Sequence, residues 1–342
     1  MKIDILCSDG SPIGIYHSDI FGRNGRVGIG GAELALMTMA ELWTQEGHQV
    51  TIYNDPRING GESPFEHRPI QSFDKSANRD VFIIFRVPTP KVMDAKGLKV
   101  WWSTDQYTVG DYRHFSQFPD KIVTISPYHN RHFAHNYGIE NAISIDLPVR
   151  LWEYDKPIEK VPNRLVFTSV PRRGLEVVAK TFPQIKALVP DASLVVTSDY
   201  RLWGQVSPLN AEYLQMFMRM NDVEFLGAVS RERLVEEQLK AQIHYYPCTY
   251  EELFCIAVAE SQVAGALPIA TSCGALESTN MGVIIDGDAR DVNTQAMFVE
   301  KTVEYLNHRS LPKIQKALQA KARKRFSPER ILKEWNEKIF NV

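Results

Sequence analysis

The chain has 342 residues, more than one hydrophobic core usually supports, so its length predicts two domains. Its 44% apolar and 23% charged residues are those of a soluble globular protein and exclude a disordered or membrane-embedded class. Lys plus Arg number 39 against 41 Asp plus Glu, and the resulting formal charge of -2 gives no general attraction for polyanions.

The opening run MKIDILC gives way at once to Ser8, Asp9 and Gly10. It is too brief for the apolar stretch of a signal peptide and predicts a first strand over 3–7. Further short runs rich in β-branched residues predict strands over 50–53, 81–85, 100–102, 122–125 and 143–145. Segment 146–163, with Pro148, Pro157 and Pro162 and little periodicity, reads as an interdomain linker. A second series follows, with strands over 165–168, 194–197, 223–226, 244–246, 268–270 and 283–285. From 291 onward the pattern is mostly helical and ends in a Pro-started amphipathic segment over 328–340. Strand and helix alternation of this kind predicts an α/β protein of two doubly wound, Rossmann-like domains. Facing each other, they would bring the carboxyl ends of both sheets around one crevice, where such sheets bind ligands.

No run reaches the length of a membrane-spanning helix, although an amphipathic face could still touch a membrane surface. Cys7, Cys248, Cys255 and Cys273 lack CxxC spacing and sit beside apolar residues. They predict reduced core thiols and a cytoplasmic protein.

Two segments carry chemistry. The loop after the first strand ends in Gly28, Ile29, Gly30, Gly31, Ala32 and Glu33, and a helix apolar on nearly every side follows over 34–43, with Gly47 as its left-handed cap. Free amides at such a helix start, approached through Gly30 and Gly31, suit a phosphate. The loop has neither dinucleotide-fold nor Walker A spacing, and a tight turn packing helix on strand is the alternative. The other segment, 250–268, reads as a helix followed by a buried strand. Glu260 lies in its apolar part, where a carboxylate is costly without partners. Sugar or ribose hydroxyls are suitable donors to it. Glu252 stands eight positions earlier at the mouth, beside the amides of Phe254, Cys255 and Ile256. The alternatives are a carboxylate favouring the helix dipole for Glu252 and a structural ion pair for Glu260.

The spacing of Glu252 and Glu260 resembles the E-x7-E signature of GT-B glycosyltransferases, particularly the retaining family 4 type. Gly30 to Glu33 resembles that family's GGxE loop, and Gly47, His48 and Val50 its GHxV turn. Phe225, Leu226 and Gly227, then Pro247, then Gly265, Leu267 and Pro268 follow in the family's order, and the terminal segment resembles its final helix crossing back to the first domain. The resemblance implies an acceptor-binding domain over 1–155, joined by a helix over 327–342, and a nucleotide-sugar-binding domain over 156–326.

It further implies that Glu252 contacts the donor sugar, Glu260 the ribose, and Phe254, Cys255 and Ile256 the sugar and phosphate through their amides. Cys255 stands where the family usually has glycine. Arg173 occupies the position of a diphosphate-binding Lys; Ser169 stands nearer the position of the usual Arg, with Arg172 as a substitute. Ala228 and Val229 would offer backbone groups to the base, and Glu277 would lie near the phosphate loop. The reaction implied is sugar transfer with retention from a nucleotide-diphosphate sugar to a hydroxyl of a glycan or small molecule. No cofactor or essential metal is implied, and Asp286, Gly287 and Asp288 read as a turn.

On the acceptor side, Thr104 replaces a His common among relatives, and Asp105 could orient a hydroxyl or support positive charge at the anomeric carbon. Tyr107, Arg113 and His114 belong to an aromatic and polar cluster with Asp111, Tyr112, Phe115 and Phe118 that could stack on a sugar or a base. Two other readings remain open: sugar transfer to a modified nucleic-acid base, and a non-catalytic sugar-nucleotide or glycan-binding protein.

Overall fold

A computed structural model describes residues 1–7, 14–22, 28–56, 60–105, 110–203 and 205–341. Its contacts divide the chain into two units. The first comprises Met1–Arg26, Ala32–Pro148 and Pro328–Val342, and the second comprises Val27–Gly31 and Val149–Ser327. The sequence places the crossing at 155 and 156, in the middle of a segment that the structure assigns wholly to the second unit after Pro148.

In the first unit the elements run β1 (Lys2–Leu6), α1 (Ser18–Phe21), α2 (Gly31–Gln45), β2 (Gln49–Tyr53), β3 (Glu66–Arg68), β4 (Val81–Phe85), β5 (Leu98–Trp102), α3 (Tyr112–Phe115), β6 (Lys121–Thr124), α4 (Pro127–Tyr137) and β7 (Ile143–Ser144). All strand pairs are parallel, in the order β3-β2-β1-β4-β5-β6-β7. The strands read as unbroken apolar runs because both sheet faces are covered, VFIIF in β4 being buried at every position. Strand β3, EHR, lies at the sheet edge with both charged ends exposed.

The second unit runs β8 (Arg164–Thr168), α5 (Leu175–Leu188), β9 (Ser193–Thr197), α6 (Leu209–Met218), β10 (Val223–Phe225), α7 (Arg231–Lys240), β11 (Ile243–Tyr246), α8 (Ile256–Val263), β12 (Leu267–Thr271), α9 (Leu276–Thr279), β13 (Val283–Ile285), α10 (Val292–Leu306) and α11 (Leu311–Arg325). Its parallel sheet has the order β10-β9-β8-β11-β12-β13. Its core joins Phe167, Phe182, Tyr245 and Phe298 from the sheet and the helices over it. The strand order reverses between β8 and β11, and the loops leaving these two neighbours lie beyond their carboxyl ends, the place where such sheets bind ligands.

Helix α12 (Pro328–Trp335), continued by a π-helical turn Asn336–Phe340, returns to the first unit. There Trp335 packs edge-on against Trp43 at 5.1 Å and Trp102 at 5.3 Å, and Phe340 covers Trp43 at 5.8 Å.

Candidate functional site

The loops leaving β8 and β11 meet in the second unit. After β8 a single 3-10 turn, Pro171–Arg173, ends at Gly174, whose φ of +109° starts α5. A Cβ on Gly174 would stand 2.1 Å from the Pro247 carbonyl oxygen, so only glycine lets the two loops touch. The Thr249 hydroxyl donates to the Arg172 carbonyl at 3.2 Å and ties the loops a second time. On the other side, the Ala275 amide donates to the Glu252 carbonyl at 2.7 Å. Gly274 permits that contact, since its Cβ would lie 2.3 Å from the same oxygen.

This packing fixes the Glu252 side chain. One carboxylate oxygen is 2.8 Å from the Arg173 guanidinium, and the other accepts from the Tyr246 hydroxyl at 2.7 Å. Arg173 also stacks on the Tyr250 ring, its guanidinium carbon 3.6 Å from the centroid. Burial works against the arginine's charge, but Glu252 together with Tyr246, Cys248 and Tyr250 outweighs it and holds the pKa above the ordinary value. Tyr246 is fully buried, its hydroxyl 3.3 Å from that of Ser169.

Helix α8 begins at Ile256, inside the segment 250–268 that reads as helix then strand. Phe254 precedes it as a core residue, packed edge-on against Phe326 at 5.8 Å. Cys255 is the residue before the helix, with φ +68° and ψ +80°, a left-handed backbone that glycine adopts without strain and cysteine does not. Gly31 lies against this start, since its Cβ would come within 2.8 Å of the Ile256 side chain.

Eight residues on, Glu260 is 2% exposed and pairs with Arg231 at 2.6 Å. Arg231 also bonds Glu153 at 2.7 Å, and Glu153 takes Arg150 at 2.7 Å. The Tyr154 hydroxyl, 3.3 Å from Arg231, donates to Gln238 at 2.7 Å. Burial raises the Glu260 carboxyl above its ordinary value, and Arg231 draws it back. Each glutamate thus has an arginine partner, Arg173 for Glu252 and Arg231 for Glu260, and for Glu260 this is the ion-pair alternative that the sequence leaves open.

Residues 162–308 match the model of a family described as Glycosyl transferases group 1. Among solved structures, a glycosyltransferase from Rickettsia africae is 16% identical and superposes with a TM-score of 0.74, covering 99% of this chain and 97% of that one. HepE of Anabaena, in complex with UDP and glucose, is 16% identical with a TM-score of 0.72 and full coverage of both chains. A sucrose-phosphate synthase from Thermosynechococcus elongatus is 13% identical with a TM-score of 0.72, covering 98% of each chain. No curated protein matches the sequence. The fold is GT-B.

Within the second GT-B unit, Arg172 points to solvent and Glu277 is exposed on the single-turn α9. The Val229 carbonyl accepts from the Gly28 amide at 3.0 Å, and Ala228 beside it would stand 3.0 Å from a Cβ on Gly28. Asp288 accepts from the Arg290 amide and pairs with its guanidinium at 3.4 Å, a turn as the sequence suggests. All four cysteines are free, and all but Cys273 are buried.

In the first GT-B unit, Thr104 and Asp105 lie just beyond β5, the Thr104 hydroxyl buried without a hydrogen-bond partner among the described residues. Two members of the aromatic cluster are buried and one is exposed, Phe118 at 38%. Tyr112 and Phe115 are core residues against Trp101, and Asp111 caps α3 by accepting from the His114 amide. Arg113 and His114 face solvent, Arg113 donating to the Tyr137 carbonyl at 3.1 Å; Tyr107 lies outside the described residues. No described helix is long and apolar enough to cross a membrane.

Reading the sequence misses Tyr246, Tyr250, Arg231 and Glu153. Tyr246 reads as a strand residue, Arg231 as part of the charged helix RERLVEEQLK, and Glu153 as part of a linker. Also missed is a buried pair in the first unit, where Glu33 at the start of α2 holds Arg86 at 2.8 Å just past β4. Arg86 has φ +66°, and its backbone is fixed by the Trp102 carbonyl and the Trp101 indole.

Proposed function

We propose that this chain moves a sugar, with retention, from a nucleoside diphosphate sugar to a hydroxyl acceptor without an essential metal. The arrangement of Arg173, Glu252 and Tyr246 at the reversal point of the second sheet supports this most directly. A departing diphosphate accumulates negative charge, which Arg173 and the free amides at the starts of α5 and α8 would stabilise. Arg172, Gly30 and Gly31 complete the proposed phosphate surroundings. Glu252 accepts from hydroxyls of the sugar. Glu260 accepts from the ribose with the lone pairs that Arg231 leaves over. Thr104, Asp105, Arg113 and His114 are the proposed acceptor side. Four free thiols support a reducing, cytoplasmic setting.

HepE binds UDP and glucose, which makes a uridine nucleotide the first donor to test. Hydrolysis or transfer should be measured with UDP-, GDP- and ADP-sugars in EDTA, in the wild type and in Glu252→Ala and Arg173→Met. One donor should turn over in EDTA, and each variant should lose about a hundredfold or more. Binding and turnover of none of the donors would refute the assignment; turnover abolished by EDTA would refute metal independence.

A further inference from the structure

Arg173 is the cation proposed to receive a diphosphate, yet it already has a counterion 2.8 Å away in Glu252. Both side chains are largely withdrawn from water, so their charges are weakly screened. The second Glu252 oxygen is fixed by the Tyr246 hydroxyl at 2.7 Å, and Tyr250 under the guanidinium restrains Arg173. The carboxylate therefore cannot simply swing aside when an anion arrives. A bare diphosphate meets an arginine whose field is largely cancelled, with a negative oxygen beside it. A diphosphate carrying a sugar brings hydroxyl donors as well, and donors are what an acceptor-only carboxylate needs.

Building on the donor reading above, we propose that Glu252, held in place by Tyr246 and Arg173, makes the site discriminate sugar-loaded diphosphate from the spent one. Sugar hydroxyls hydrogen-bond to the carboxylate and offset its repulsion of the phosphates. Once the sugar has left, the same carboxylate weakens the hold on the product. Tyr246 is a positioning residue here: it touches Glu252 and acts through it.

The test is calorimetric titration of the full chain with UDP, GDP and ADP and with UDP-glucose, GDP-mannose and ADP-glucose. Glu252→Gln keeps the shape and the Tyr246 contact but removes the charge. It should bind the preferred diphosphate roughly tenfold more tightly, and its preference for the matching sugar nucleotide should fall by at least about tenfold. Glu252→Asp, which keeps the charge, should bind the bare diphosphate as weakly as the wild type. Tyr246→Phe should lose preference for the sugar nucleotide with no gain for the diphosphate. If Glu252→Gln weakens both ligands alike while the wild type binds them, the discrimination is refuted and the donor reading stands. If the wild type binds none of the six, both fall together.

Discussion

Replacing Arg231 by methionine removes the cation on which two carboxylates converge, the buried Glu260 and the half-buried Glu153. Its side chain is 8% exposed and lies 2.7 Å from Glu153 and 2.6 Å from Glu260. Glu153 retains Arg150 at 2.7 Å, so the loss falls chiefly on Glu260 inside α8. Leaving one member of a buried pair behind costs about 3–5 kcal/mol, because the remaining charge has neither water nor a partner. Arg231→Met combined with Glu260→Gln should recover most of that, giving a coupling of about 2 kcal/mol or more.

The pH dependence has a definite sign. Burial already raises the Glu260 carboxyl, and losing Arg231 raises it further. A carboxyl with a raised folded-state pKa takes its proton first in the native state, so its penalty fades as pH falls through that value. Urea unfolding followed by far-ultraviolet circular dichroism at pH 8 and pH 5.5 measures both effects. A penalty under about 1 kcal/mol, or one indifferent to pH and additive with Glu260→Gln, would refute the reasoning.

Three further outcomes are expected. Burial holds His129 and His244 down to about 3 and His67 to about 4, below the 6.5 of an unfolded chain. The unfolded state then takes up protons first, and stability is lost as pH falls below 6.5, by up to about 1.4 kcal/mol per pH unit for each ring. A melting temperature unchanged from pH 7 to pH 5 would contradict this. At Cys255, glycine relieves the left-handed backbone but forfeits a buried thiol, each worth about 1 kcal/mol, so the urea midpoint should barely move. Valine at the same place should cost more than about 2 kcal/mol, since a β-branched side chain tolerates positive φ poorly. Finally, Trp335→Ala should cost about 3–5 kcal/mol and alter the intrinsic fluorescence, as it strips the cover from Trp43 and Trp102; a cost below about 1 kcal/mol would show that α12 contributes little to the first unit.

Parallel strands buried on both faces declare themselves as apolar runs, and VFIIF over Val81–Phe85 has the same bounds in sequence and structure. Strand β3 has no such signal, because EHR at an exposed edge contains no apolar residue. The start of α8 has no clear signal for a comparable reason: Leu253 and Phe254 continue the greasy pattern, but they are buried from a loop, and the turn at Cys255 depends on a backbone angle that residue type does not reveal. The spacing of the two glutamates was legible because it lies within one segment. Their arginines were not, because Arg173 and Arg231 reach them only through the pairing of β8 with β11 and the packing of α7 against α8. The aromatic residues around Tyr112 carry the composition of a binding surface, yet Tyr112 and Phe115 themselves pack into the core.

The return of α12 has a consequence for biosynthesis. Trp43 and Trp102 are made before the second unit, but the indole that covers them is encoded after β8 to α11. A nascent chain therefore carries an uncovered tryptophan surface throughout the synthesis of β8 to α11, roughly ten to thirty seconds at about 5–20 residues per second. The second unit can close on itself meanwhile, whereas the first must be kept from aggregating until its last helix docks.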